Sequence, residues 1–349
     1  MEFGMFHEFR CAPGDAHTEA FANGFAEIDA AERMGLDVVW LGELHMDPTR
    51  SVLSAPLTVA SAVAARTTRI KIGTAVQVLP LGHPVRIAEE AATVDQISGG
   101  RLIFGVGRSG LPRAYDAYGV SYGESQARFP EALALIKRAW TETSFSYEGK
   151  FFSCKNVNLS PKPFQRPYPP VRVAANSADT FPYVGTLGDS IMVAGRVGPL
   201  KEVVPNLRTY REAYRAAGHP GEGAVYLRIP VYVAETEELA RGEPEEGIMA
   251  FYRTLGARLE ASAGQAGARP TERRAEQGRG LQTMTYEEVL RDKIVVGTPA
   301  RVAAHLQELR EEIGFDGILA ELNCGGRLPP ARVMNSLRLI CEEVMPRFR

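Results

Sequence analysis

Short apolar runs rich in β-branched residues alternate along the chain with stretches whose apolar side chains recur at helical spacing. "EFGMF" (2–6) precedes a helix around 18–34, and "VVWLGE" (38–43) precedes the Ala-rich helix 54–66. "IKIGTAV" (70–76) is followed by a helix around 84–97, and "RLIFGVG" (101–107), after a loop, by one at 126–140. "VRVAAN" (171–176) leads into a short helix and "SIMVAG" (190–195) into helix 200–217. "VYLRIPVYVA" (225–234) leads into helix 236–260, and "FDGILAEL" (315–322) into the last helix, 330–345. These runs are continuously apolar rather than alternating, as in parallel strands buried on both faces. Strand then helix, repeated eight times, predicts an α/β fold: a (β/α)8 TIM barrel forming a single domain over residues 1–349. A barrel of this kind carries its site at the C-terminal ends of its strands.

Two insertions interrupt the repeat. Residues 145–170 read as a hairpin with a Pro-rich return. Residues 262–282, "SAGQAGARPTERRAEQGRGLQ", are polar, Gly-rich and poor in apolar side chains, and are read as a mobile loop. A short helix at 285–292 follows, and Thr298–Pro299 starts another.

Composition adds mainly exclusions. The chain's 349 residues are 45% hydrophobic and 23% charged, ample for a large core. A formal net charge of −2 argues against a polyanion-binding surface, so no nucleic-acid partner is expected. "MEFGMFHEFR" has neither a signal-peptide pattern nor a membrane span. Cys11, Cys154, Cys324 and Cys341 form no CxxC pair, which fits buried thiols in a reducing cytoplasm. No histidine spacing suggests a metal.

The predicted strand ends are Phe6, Glu43 and His45, Ala75 and Val76, Gly107 and Arg108, Asn176 and Ser177, Gly195 and Arg196, Arg228, and Glu321 and Asn323. "FGVGRSG" places Gly105, Gly107 and Gly110 around Arg108, whose planar fork suits a phosphate. A Gly-rich turn with a surface arginine explains the same letters. The glycine spacing is neither a P-loop nor a dinucleotide fingerprint. In "AANSADT" (174–180), Ser177 and Thr180 offer hydroxyls at a helix start with free N–H groups; simple N-capping by Ser177 is the alternative. His83 and Pro84 read as helix initiation.

"MEFGMF", "ERMGLDVVWLGELH", "IKIGTAVQVLPLGHPVRIAEEAATVDQISGGRLIFGVGRSG", "PVRVAANSADT", "VGTPARV" and "SLRLICEEVMPRFR" together resemble the bacterial luciferase-like flavin monooxygenase family, over nearly the whole length. The resemblance implies a barrel, usually dimeric through the helices matching 54–66 and 84–97, with flavin at its C-terminal mouth. Arg108 resembles the family's phosphate-binding arginine, with Arg128 in "SQARF" as a second contact. Ser177 and Thr180 resemble its hydroxyl donors, and Asn176 stands where luciferase has a glutamate. Phe6, Ala75 and Val76 would line the flavin ring. Gly107 replaces a cysteine near the reactive flavin carbon, leaving room. The resemblance also implies a non-prolyl cis peptide, here Ala75–Val76. Luciferase carries Glu-His-His where this chain has Glu43, Leu44 and His45, so the usual catalytic base is a leucine. His45 is left as candidate acid or base, or as a structural partner of Glu43.

Three functions are carried forward. The first is a two-component monooxygenase that takes reduced FMN from a separate flavin reductase and oxygenates a small organic substrate with oxygen, without useful light. The lack of a dinucleotide fingerprint fits reductant supplied from elsewhere. The second is hydride transfer with a deazaflavin coenzyme, whose phosphate site would look similar. The third is a non-catalytic flavin-binding partner subunit, favoured by Leu44.

Overall fold

The computed structural model describes residues 1–11, 14–48, 50–109, 112–263 and 271–349. The barrel strands are β1 (Glu2–His7), β2 (Val38–Leu41), β3 (Lys71–Thr74), β4 (Leu102–Gly107), β5 (Val171–Ala174), β6 (Ser190–Ala194), β7 (Val225–Val233) and β8 (Gly317–Glu321). Each pairs in parallel with the next, and β8 returns to β1 with Glu2 opposite Gly317. The eight strands therefore close into the predicted TIM barrel.

Alternation along each strand sorts its side chains into two cores. Outward residues such as Phe3, Met5, Val39, Ile72 and Phe104 pack under the helices. Inward residues form a second cluster of Phe6, Val38, Trp40, Ile103, Met192 and Leu319. Trp40 fits inside only because glycines face it: a Cβ on Gly73 would lie 2.2 Å from its ring and one on Gly4 2.3 Å from its indole nitrogen. Beneath the cluster, Arg172 lies over Tyr226 and Trp40 and pairs with Glu2 at 2.7 Å.

Helices Pro56–Arg66 and Pro84–Ser98 begin on prolines, as their fixed φ favours. Ala60, Ala64, Ala88, Ala91 and Ala92 are all buried within the chain. Most of the small-residue surface of this helix pair is thus used in packing, leaving Ala62 half-buried and Ala65 exposed.

The hairpin insertion pairs Phe145–Glu148 antiparallel with Ser153–Val157. Its turn is held by Glu131, whose carboxylate accepts from the backbone N–H groups of Phe151 and Phe152. The Pro-rich return contains two cis X–Pro bonds, Ser160–Pro161 and Arg166–Pro167.

The expectation of a mobile loop over 262–282 is corrected. Thr271–Thr283 is an α-helix packed against helix Glu237–Ala261. Its glycines serve a helix crossing: a Cβ on Gly256 would lie 2.5 Å from the carbonyl of Gly278, and one on Gly278 2.6 Å from that of Gly256. Only paired glycines allow backbones so close, and Leu281 is buried beside them. Residues 264–270 of that stretch lie outside the described residues. A short strand not expected from the sequence, Val295–Gly297, pairs with the far end of β7. Among the described residues no helix is long and apolar enough to cross a membrane.

Candidate active site

The C-terminal mouth of the barrel has two chemically different halves. The first is built on the ends of β2, β3, β4 and β5. Here the Ala75–Val76 peptide is cis, as the resemblance implied. It follows a tight approach of β3 to β4: Thr74 Oγ1 donates to the Gly105 carbonyl at 2.6 Å, and a Cβ on Gly105 would collide with the Thr74 carbonyl at 1.7 Å. Gly107 does not leave an empty space, because a Cβ there would lie 2.7 Å from Val76 Cγ2. The valine of the cis pair fills that room.

Glu43 and His45 form a buried pair. Glu43 Oε1 lies 2.8 Å from His45 Nε2, and Oε2 accepts from the Val78 N–H at 2.8 Å. Burial raises the Glu43 carboxyl above the usual range, against the opposing pull of those two hydrogen bonds. The Tyr118 hydroxyl lies 3.3 Å from His45 Nδ1, and the two rings meet edge to face. With Glu43 ionised, Nε2–H donates to it, and Nδ1 is the acceptor facing Tyr118. Tyr118 was not foreseen, since it comes from the loop region after β4 and no spacing connects it to His45.

Leu44 is 8% exposed, and its N–H donates to the Leu53 carbonyl at 2.9 Å. A methyl on Gly42 would meet Phe6 Cζ at 3.0 Å and Leu44 Cδ1 at 3.3 Å. Phe6 and Leu44 therefore flank the same point of β2's exit and make an apolar wall.

Arg108 follows β4, and its carbonyl accepts from the Tyr115 hydroxyl. Its Nη1 lies 3.4 Å from Ser125 Oγ, and no carboxylate pairs with it among the described residues. β5 is the next strand, with Val106 opposite Val173, so Arg108 and the 175–180 turn leave adjacent strand ends. In that turn Ser177 Oγ and Thr180 Oγ1 lie 2.6 Å apart, and Thr180 opens helix Thr180–Leu187. Ser177 is not the N-cap; Asp179 holds that position. Asn176 is exposed. Arg128, one turn beyond Ser125, has partners of its own: Glu124 at 3.0 Å and the Phe151 ring at 4.8 Å.

The second half is charged. Inward positions continue past the apolar cluster on β1, β6, β7 and β8 as Glu8, Arg196, Arg228 and Glu321. Glu8 pairs with Arg50, with Arg10 at 3.0 Å and with Arg228 at 3.2 Å. Glu321 pairs with Arg196 at 2.7 Å and with Arg228. The Arg228 guanidinium lies 3.2 Å from the centroid of Phe6, so the two halves share that ring. Burial works to raise both carboxyls; Arg50, Arg10 and Arg228 hold Glu8 well below the usual range, and Arg196 and Arg228 lower Glu321. Arg228 is pushed down to about 10, by burial first and Arg196 second. The strand-end residues of this cluster were visible in the sequence, but Glu8, Arg10 and Arg50 were not singled out.

The first half fits a flavin phosphate. Arg108, with no carboxylate partner among the described residues, leaves the strand end next to the one that carries two hydroxyls and a helix N-terminus, and these are groups that donate to a phosphate. The cis pair and Phe6 offer apolar surface for a planar ring.

The fold is a TIM barrel with a candidate phosphate-donor set at its C-terminal mouth. The chain belongs to the luciferase-like monooxygenase family, whose profile matches residues 1–317. It is 26% identical over 353 residues to the flavin-dependent trigonelline monooxygenase, oxygenase component, of Acinetobacter baylyi, covering 100% of this chain and 96% of that one. It is 32% identical over 235 residues to the F420-dependent glucose-6-phosphate dehydrogenase of Kineococcus radiotolerans, 65% of this chain and 68% of that one. Matches to two Sinorhizobium fredii proteins, each 30% identical, span 60% and 48% of those proteins' lengths. Among solved structures, monooxygenase RslO1 from Streptomyces bottropensis superposes with a TM-score of 0.80 at 26% identity over 100% of both chains.

Proposed function

We propose that the chain is the oxygenating component of a two-component flavin-dependent monooxygenase, using reduced FMN from a separate flavin reductase and oxygen on a small organic substrate. The observation that carries this is Arg108, with no carboxylate partner among the described residues, on the strand end next to that of the Ser177–Thr180 hydroxyl pair, on a chain alike from end to end to a named oxygenase component. Arg108, Ser177 and Thr180 would hold the phosphate, with Arg128 and Asn176 at the margin. Val76, Ala75, Gly107 and Phe6 would seat the ring. Reduced flavin, when bound, supplies the electrons that activate oxygen. Leu44 and Phe6 exclude water from the reacting face. His45, oriented by Glu43, holds or accepts a proton through Nδ1. Oxygen uptake tests the proposal: with FMN, a flavin reductase and a panel of small organic compounds, consumption coupled to product is expected, and uptake that yields only peroxide from every compound contradicts it.

The deazaflavin alternative is supported by the F420-dependent relative, and it shares the phosphate site. A non-catalytic partner subunit is less well supported, since the chain keeps both candidate phosphate donors and a histidine oriented by Glu43.

Two further outcomes are expected. No useful light should accompany incubation with reduced FMN, oxygen and a long-chain aldehyde, because Leu44 neither gives nor takes a proton; bright emission in a luminometer contradicts this. His45→Ala should lower turnover by about 100-fold, the scale of one general acid or base, and more than Leu44→Ala does; steady-state kinetics with equal losses in both contradicts it. The chain is also proposed to be a homodimer through the outer faces of helices Pro56–Arg66 and Pro84–Ser98, where Ala62, Ala65 and Ile97 remain accessible. Light scattering at micromolar concentration should give twice the mass of 38.1 kDa.

A further inference from the structure

The charged half of the mouth is unbalanced. Four arginines, Arg10, Arg50, Arg196 and Arg228, face two carboxylates, Glu8 and Glu321, which leaves two positive charges in excess. The residues left undescribed contain no Asp or Glu that would supply the missing charge. The neighbouring pair Arg258–Asp47, at 2.7 Å, adds one charge of each sign and leaves the excess unchanged. Two charges of one sign held together are costly away from water and are retained where something offsets them.

The surplus is also incompletely hydrogen-bonded. Arg196 Nε and Arg228 Nε are buried and lack partners among the described residues, as does Glu321 Oε2. Arg10 and Arg196 each keep 21% of their side-chain exposure, whereas Glu8 and Glu321 keep 2% and 3%. Arg10 and Arg196 are thus partly open to solvent, and the carboxylates are not. Around them are rings: Phe6 under Arg228, and Phe251 beneath Arg196 at 5.2 Å and Arg50 at 6.0 Å. Phe6 is the ring shared with the flavin half.

We propose that Arg10, Arg196 and Arg228 bind the carboxylate of an organic acid, so that the substrate is a small carboxylate whose apolar body lies along Phe6 and Phe251. Guanidinium forks match a carboxylate with two parallel hydrogen bonds. Glu321 Oε2 is an acceptor for a hydroxyl or N–H on the same molecule. The inference rests on the oxygenase reading of the mouth and names the substrate class for it.

Calorimetric titration of the full chain with matched pairs, benzoate against benzamide and hexanoate against hexanamide, tests the assignment. In at least one pair the acid should bind about tenfold more tightly than its amide. Arg196→Gln should abolish that preference, and Arg196→Lys should restore part of it. FMN affinity, measured on the same samples, should be unchanged, and a denaturation midpoint for each variant confirms its fold. Absent or equal binding of acid and amide in both pairs overturns the inference, as does a preference that survives Arg196→Gln. Acid binding without FMN binding would sink the oxygenase reading alone; FMN binding without acid preference would sink this inference alone.

Discussion

Glu8→Gln is expected to destabilise the chain by roughly 3–5 kcal/mol, the cost of breaking a buried ion pair from one side. Glu8 is 4% exposed and joins Arg10, Arg50 and Arg228. Replacing its charge leaves the cluster's four guanidinium groups with only Glu321 as a carboxylate within the cluster. Urea denaturation should show the loss as a lower midpoint with an unchanged slope. The same carboxylates set an acid limit. Glu8 and Glu321 are held below the ordinary value by their arginines, burial notwithstanding. An unfolded glutamate titrates at about 4.3, so their stabilisation is complete above roughly pH 5 and is lost as pH falls through their lower folded values. The denaturation midpoint should therefore drop on acidification below about pH 4.3, less steeply in Glu8→Gln than in the unmodified protein.

Arg108→Ala should weaken FMN binding by at least about tenfold, since a hydrogen bond to a charged group is worth roughly 1.5–3 kcal/mol. The loss should not come from misfolding, because Arg108 contributes no ion pair among the described residues and one long contact, to Ser125 Oγ at 3.4 Å. Ser177→Ala and Thr180→Ala should each cost less, as neutral donors do. Fluorescence titration of FMN checks all three variants. Unchanged affinity in Arg108→Ala would remove the phosphate assignment.

Much of the architecture was legible because parallel strands buried on both faces leave continuous apolar runs. "VVWLGE" and "RLIFGVG" are such runs, and both are barrel strands. The helix Thr271–Thr283 was not legible. Its two glycines and seven charged or amide side chains look like a loop, and the reason for Gly278 is Gly256, far away in sequence. Room at Gly107 was misjudged for the same reason, since Val76 belongs to another strand end. Glu43 and His45 were visible as a pair because they lie two positions apart, with Leu44 between them, and so share a face of an extended chain. Tyr118, Arg10 and Arg50 enter from loops, where no period links a residue to its partner. Glu8 was within reach, as β1 places Glu2, Gly4 and Phe6 inward and the alternation carries on to it.

Anaerobic titration of the unmodified chain with reduced FMN and, separately, with the reduced deazaflavin coenzyme tests the central claim most directly. Saturable binding of reduced FMN, at least about tenfold tighter than that of the deazaflavin, is the predicted result. Tight deazaflavin binding with none of FMN would contradict it.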